Sequence, residues 1–191
     1  MTQPAQTDRA ASALDRLFER ALAAQSGDAF AAPFDPEWRS SCETGETRDG
    51  MTFWRPVMQP APVDFSHLEN ALEFPIHADI KTFYSRYWAG GIEARSTEGP
   101  VSLIQLWNYD DYERLVANLI GHALAQKRAR APFTVFVATT DPDSELFLSI
   151  DNASGKVMLE EPGKLPIREV DDNIADFLDR LTPTDAPPAI Y

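Results

Sequence analysis

The sequence contains few of the residues that cross-link a chain or bind a metal ion. Its 191 residues include one cysteine, Cys42, and three histidines, His67, His77 and His122. A single cysteine excludes an internal disulfide, which is consistent with a reducing compartment. The histidines are not spaced as a pair of metal ligands, and no glycine-rich phosphate-binding motif is present. We therefore expect neither a metal nor a cofactor.

Positive charge is also scarce, because 17 Lys and Arg stand against 30 Asp and Glu, giving a net charge of −13. Binding to nucleic acid needs cations that neutralise phosphates, so this balance argues against nucleic acid. It argues in the same way against docking on a bare anionic lipid surface. Such a charge either serves solubility alone or indicates a partner with a basic protein surface.

Long apolar runs are missing as well, since no stretch approaches the ~20 apolar residues of a membrane-spanning helix. The beginning of the chain carries charges through its only apolar periodicity, which is not the pattern of a secretory signal. With the single cysteine, these features predict a location in the cytoplasm. The apolar content of 43% is enough for a core, and the length suits one domain.

The first half of the chain predicts one clear helix and much irregular structure. An apolar stripe at three- and four-residue steps predicts a helix over residues 8–25. Several prolines predict an irregular stretch over residues 28–64, with a short strand at Met51–Trp54. Ser66 and Glu69 have the spacing of a capping box and predict a short helix. A second helix is expected with Pro75 as its first residue and with Gly90-Gly91 closing it.

The second half predicts a hairpin, a long helix, three strands and a last helix. Ile92–Arg95 and Val101–Trp107 have the pattern of a hairpin, and Asn108 is expected to cap a helix that ends near Arg130. Strands at 133–139, 145–150 and 156–160 precede a helix at Asn173–Leu181. The pattern predicts an α+β fold, a single domain over residues 1–181 with a mainly antiparallel central sheet flanked by helices. The proline-rich residues 182–191 are expected to form a flexible tail.

The polar pairs of the sequence give little support for catalysis. Asp110 and Asp111 are adjacent at a helix start, where their side chains diverge by about 100°. Neighbouring glutamates at 160 and 161 face opposite sides of a strand, so neither pair forms an acid–base dyad. Asn118 and His122 share one face of the long helix, where a buried hydrogen bond is the usual role and ligand binding the alternative.

The segment from Ile76 to Thr139 carries motifs that are too particular for a generic domain. They resemble those of the Syd family in order and spacing, and the likeness extends more weakly from Trp54 to the last helix. The matching motifs are TFY at 82–84, AG at 89–90, QLW at 105–107, DD at 110–111, NLIGH at 118–122, QKR at 126–128 and the strand Phe133–Thr139.

The resemblance implies a bacterial protein that binds SecY, the channel protein of the SecYEG translocon. Members of the family are monomer-sized and lie peripherally at the cytoplasmic face of the inner membrane. They dock through a concave acidic face on basic cytoplasmic loops of SecY and monitor the assembly of the channel. Mapped by position, the resemblance suggests that the acidic surface contains Glu73, Asp110, Asp111, Glu160, Glu161 and Glu169.

Two other functions remain open from the sequence alone. The Syd family resembles a wider group of immunity proteins, and an acidic immunity protein would suit a basic toxin. A small hydrolase that uses carboxylates and His122 would need a solvent-open pocket that brings His122 to an ionisable partner. No nucleophile–base pair is visible in the sequence, so we expect no catalytic residues.

Overall fold

Five helices form in the part of the chain that the structure describes. The structure is a computed structural model, and it describes residues 6–25 and 29–185. The helices are α1 (Gln6–Ala24), α2 (Ser66–Leu72), α3 (Ala78–Ser85), α4 (Tyr109–Ala129) and α5 (Ile174–Arg180). Within the described ranges, none of these helices has the length and apolar character that a transmembrane span requires.

Two small sheets precede the main sheet along the chain. The first contains three antiparallel strands, and the second pairs two very short ones. The strands are β1 (Phe30–Pro33), β2 (Glu43–Arg48), β3 (Met51–Trp54), β4 (Val57–Met58) and β5 (Tyr87–Trp88). The first small sheet has the order β1-β3-β2. The strand expected at Met51–Trp54 is confirmed as β3, whereas β1 and β2 form where irregular chain was expected.

The main sheet contains seven strands, and every neighbouring pair in it is antiparallel. Its order is β11-β10-β9-β8-β7-β6-β12. The strands are β6 (Ile92–Ser96), β7 (Gly99–Leu103), β8 (Thr134–Thr139), β9 (Phe147–Asp151), β10 (Val157–Glu160), β11 (Arg168–Asp171) and β12 (Thr182–Pro183). The predicted α+β fold with a mainly antiparallel sheet is confirmed.

Side chains of the strands alternate between the two faces of this sheet. Helices cover both faces. On one face, Gln126 of α4 hydrogen-bonds to Thr134 at the start of β8. On the other face, Phe177 of α5 lies with Leu148 and Leu159 around a cleft. The core continues into α1, whose apolar stripe, expected from the sequence, is buried between α5 and α3.

Two local expectations need correction. Ser66 is not an N-cap: α2 is preceded by Phe65, and the Glu69 carboxylate binds Lys81 and the backbone N–H of Ile76 instead. The tail does not begin at residue 182, because Thr182–Pro183 pairs with β6 as strand β12. Residues 186–191 of that tail lie outside the described residues.

Candidate partner-binding site

The start of α4 is fixed by two hydrogen bonds that both involve Asp111. Asn108 is the N-cap, and its Oδ1 accepts a hydrogen bond of 2.9 Å from the backbone N–H of Asp111. Asp111 Oδ2 accepts a bond of 3.0 Å from the N–H of Trp107. Two donors that would otherwise be unpaired at the helix start are thereby satisfied. Asp111 thus has a structural role, whereas Asp110 is exposed.

Trp107 joins the start of α4 to the connection between β1 and β2 of the first small sheet. Its Nε1 donates a hydrogen bond of 2.9 Å to the carbonyl of Trp38, and its own carbonyl accepts a bond from the Ser40 hydroxyl. Its ring meets the ring of Trp54 on β3 edge to face, with centroids 6.0 Å apart. The first small sheet and α4 therefore share an aromatic contact.

A cleft of about 280 Å³ opens beside this contact, between the first small sheet and β6. Aromatic rings of Phe30, Trp54 and Trp107 line it, together with two carboxylate-bearing residues, Glu93 and Asp185. Glu93 is half-buried, and its Oε1 accepts a hydrogen bond of 2.5 Å from the Ser102 hydroxyl. Of the three aromatic residues, Trp107 is partly exposed, and an aromatic ring beside carboxylates suits a cationic side chain. We call this opening the aromatic cleft.

The close packing at the aromatic cleft requires glycine at position 90. A Cβ at Gly90 would lie 2.7 Å from Cζ2 of Trp54, a distance that carbon atoms do not share without displacement. Trp54 is itself 2% exposed and stacks on Phe30, with ring centroids 4.4 Å apart. The indole thus has little freedom to move away.

Further carboxylates and an exposed tyrosine ring lie around the start of α4. Glu113 is exposed and follows Asp110 by three residues, so the two carboxylates share a helix face. Tyr109, next to them, is 56% exposed. Asp111 lies 3.6 Å from a guanidinium nitrogen of Arg114, which leaves Asp110 and Glu113 as the outward-facing acids of this turn.

Glu160 was expected on the acidic surface, and this expectation is wrong. Its side chain is buried at 1% exposure, where α4 crosses β9 and β10. It accepts a hydrogen bond from the Ser149 hydroxyl and a weak one of 3.5 Å from Gln126 Nε2. Glu160 is the last residue of β10 and points toward α4, whereas Glu161 lies beyond the end of the strand.

The remaining predicted residues lie away from the start of α4. The carboxylate of Glu161 pairs with Lys164 at 2.5 Å, and that of Glu169 pairs with Lys156 at 2.7 Å. Glu73 is exposed and ends α2 in a left-handed conformation. Asp110 and Gln126, the α4 residue that meets Glu160, are about 24 Å apart at 1.5 Å of rise per residue. The six predicted acids therefore do not form one cluster.

Asn118 and His122 do not form the buried pair that their spacing suggested. Asn118 is exposed, and the His122 ring is half-buried between Phe136 and Phe147. Nε2 of His122 lies 3.2 Å from the hydroxyl oxygen of Thr134, which is not an ionisable partner. Burial lowers the pKa of His122, and the nearby Glu160 charge opposes this effect in part.

The matches to known proteins agree with the motifs quoted above. The family model described as Syd protein (SUKH-2) matches residues 9–183. The chain belongs to the Syd family. A relative named Protein Syd from Pseudoalteromonas atlantica is 40% identical over 167 residues, which cover 86% of this chain and 89% of the relative. Protein Syd of Alteromonas mediterranea is 32% identical, with coverages of 91% and 96%.

The Syd match includes most of the aromatic cleft. Residues 9–183 contain Phe30, Trp54, Glu93 and Trp107 as well as the start of α4, while Asp185 lies just beyond the match. The first small sheet thus belongs to the Syd-matched region, although the quoted motifs begin after it. One local signal could have revealed its hairpin. Asp49-Gly50 connects β2 to β3 with positive φ at both residues, as a two-residue hairpin turn requires.

Proposed function

We propose that this Syd-family chain is a non-catalytic binding protein that docks on basic cytoplasmic loops of SecY. The observation that carries the proposal is the acid-rimmed aromatic cleft beside the exposed carboxylates of α4. The protein acts as a monomer at the cytoplasmic face of the inner membrane, where it is held peripherally through SecY. Its docking monitors the assembly state of the SecYEG complex.

The charge of the proposed partner complements the aromatic cleft. Cytoplasmic loops of membrane proteins carry an excess of Lys and Arg. A cation from such a loop can enter the cleft beside the partly exposed Trp107 ring while Glu93 and Asp185 neutralise it. Asp110 and Glu113 can then attract further cations from the same loop. Exposed ion pairs are worth about 0–1 kcal/mol each, so several have to form together.

A matched pair of charge-reversal variants tests the proposed surface. Asp110→Lys/Glu113→Lys changes two exposed residues of α4 and leaves the Asn108–Asp111 capping bonds in place. Glu19→Lys/Asp172→Lys makes the same change in net charge at exposed positions of α1 and of the segment between β11 and α5, and neither residue lines the aromatic cleft. We expect the first variant to lose at least about ten-fold in affinity for purified SecYEG in detergent, from two lost pairs and two new repulsions.

The control variant should bind within about three-fold of the unchanged protein, because long-range charge effects are screened beyond ~10 Å. Each variant should lose no more than about 1 kcal/mol of unfolding free energy, since the changed side chains are exposed and Lys at a helix start is disfavoured by about 0.3–1 kcal/mol. Equal loss of affinity in the two variants would mean that net charge, rather than this surface, governs binding. Undiminished binding by the α4 variant would remove Asp110 and Glu113 from the docking surface.

A further inference from the structure

An apolar groove lies at the end of α4 that is opposite to Asp110. It has a volume of about 400 Å³ and lies between the end of α2 and the last turns of α4. Its apolar lining includes Leu72, Phe74, Ile120, Leu124 and Phe133. Phe74 is 36% exposed and Leu124 is 53% exposed, so apolar surface reaches the solvent here. We call this feature the α2–α4 groove.

Three exposed cations border the α2–α4 groove. Lys127 is one of its lining residues, Arg128 follows Leu124 by four positions on the same helix face, and Arg130 is the C-cap. Among residues 6–25 and 29–185, no carboxylate lies within ion-pairing distance of these three side chains. One carboxylate-bearing residue, Glu73, lies in the lining.

The end of a helix favours cations, because the last carbonyl groups give it partial negative charge. That effect accounts for cations in the last turn of α4, but it does not explain the exposed Phe74 and Leu124 beside them. Most other cations of the chain are engaged. Arg86, for example, forms a two-pronged ion pair with Asp15, and Arg180 binds Asp171. A local positive, apolar surface on a chain of charge −13 therefore calls for an anionic partner with an apolar phase.

We propose that the α2–α4 groove and its three cations form a contact site for the surface of an anionic lipid bilayer. Leu124 and Phe74 enter the boundary between headgroups and acyl chains, while Lys127, Arg128 and Arg130 extend to lipid phosphates. A bilayer surface needs no matched set of hydrogen bonds, and the described groove lining supplies few polar side chains. The proposal does not depend on SecY docking.

The net charge of the chain limits this contact to one end of the molecule. Helix α4 spans about 30 Å, which is several Debye lengths at physiological salt, so its acidic start does not cancel the attraction at its basic end. The sequence argued against bare anionic lipid on the net charge alone. The charge near the membrane determines whether the protein binds lipid, because the attraction falls off within a Debye length of the surface. Binding is weak and sensitive to salt.

Co-sedimentation of the full chain with protein-free liposomes tests the proposal. At ~0.1 M salt, where the Debye length is ~10 Å, we expect binding to vesicles that contain phosphatidylglycerol to exceed binding to phosphatidylcholine vesicles at least about five-fold, the effect of one phosphate-facing cation. Leu124→Glu should abolish this difference. Leu165→Glu is the matched control, since Leu165 is an equally large side chain, 59% exposed, in the β10–β11 connection. It should leave binding unchanged.

Several results would overturn the lipid contact. One is equal binding to the two vesicle types, and another is equal loss in the Leu165→Glu control. A third is a dimer in solution that Leu124→Glu converts to monomer, because a second copy would then cover the groove. Binding of an acidic amphipathic peptide in the absence of vesicle binding would assign the groove to a protein partner. Each result is independent of SecY, so failure here leaves the proposed docking intact.

Discussion

The aromatic cleft depends on the contact between Gly90 and Trp54, because the absence of a side chain at position 90 leaves room for the indole. The indole of Trp54 fills the space that a Cβ at position 90 would need, and Phe30 holds the indole from its other face. Trp107 then contacts Trp54 and lies at the entry to α4. The position of the acidic helix start relative to the cleft thus depends on small residues as well as on the carboxylates themselves.

Gly90→Ala should destabilise the protein by about 1–3 kcal/mol, the range for overpacking a filled site. Gly121→Ala is the matched control, because a Cβ at this position in α4 meets no atom within 4 Å. The control should be more stable than the parent protein by about 0.5–1 kcal/mol, from helix propensity. Urea unfolding measures both changes. Similar effects of the two substitutions would show that the Gly90–Trp54 contact is not tight.

His122 gives the stability of the protein a dependence on pH. Burial lowers the pKa of the ring below its ordinary value of 6.5, so the unfolded chain binds a proton more readily than the folded one. The corresponding stability is present above pH 6.5 and is lost as the pH falls through the lowered pKa. His122→Gln should therefore show a smaller decrease in the free energy of unfolding from pH 7 to pH 5.

Histidine 67 supplies the control for this experiment. Its side chain is exposed, so His67→Gln should reproduce the pH dependence of the parent protein. A His122→Gln variant with the full pH dependence of the parent would show that another group titrates in this window.

At the scale of elements, α4 combines opposite charges and two kinds of contact in one helix. Its first turn holds Asp110 and Asp111, and its last turn holds Lys127 and Arg128. Its buried side carries Gln126, whose amide donates to the Thr134 hydroxyl at 2.7 Å and accepts from the Thr134 backbone N–H at 3.1 Å. These bonds, together with Glu160, set the position of α4 on the sheet.

Glu160→Ala should destabilise the protein by about 2–3 kcal/mol, because it removes an acceptor from the Ser149 hydroxyl in a buried site. Glu161→Ala removes a half-exposed ion pair with Lys164 and should cost less than about 1 kcal/mol. Chemical denaturation compares these adjacent positions directly. Equal effects would contradict the assignment of Glu160 to the interior and would restore it as a candidate for the acidic surface.

The elements that the sequence predicted well are those with strong local signals. Asn108 and Lys127 mark the ends of α4, and the strands β8, β9 and β10 were expected within a few residues of their observed bounds. Strand β2 has no buried apolar alternation, since five of its six residues are exposed. Its composition therefore gave no strand pattern, and only the Asp49-Gly50 turn indicated a hairpin.

The candidate site was harder to predict because it depends on contacts between distant segments. Alternation predicts that Glu160 and Glu161 face opposite sides, but helices cover both faces of the sheet, so the burial of Glu160 depends on where α4 crosses β9 and β10. The aromatic cleft combines Phe30, Trp54, Glu93, Trp107 and Asp185, which come from five separate parts of the chain. Of the six predicted acids, Asp110 and Asp111 lie beside the aromatic cleft, at the start of α4.

At the scale of the whole molecule, charge is the property that most restricts the choice of partner. The net charge of −13 attracts basic surfaces and opposes nucleic acid, while the basic end of α4 is a local exception. An acidic surface at one end of α4 and a lipid contact at the other would together orient the protein beside a membrane channel. Both contacts should weaken as salt increases.

The most direct test of the SecY docking compares binding to two sets of proteoliposomes of identical lipid composition, with and without purified SecYEG, at low and at high salt. The account predicts binding that requires SecYEG at near-physiological salt, where lipid contact alone is weak, and that decreases strongly at high salt. Equal binding to the two sets at every salt concentration would contradict the docking and leave the aromatic cleft to another basic partner.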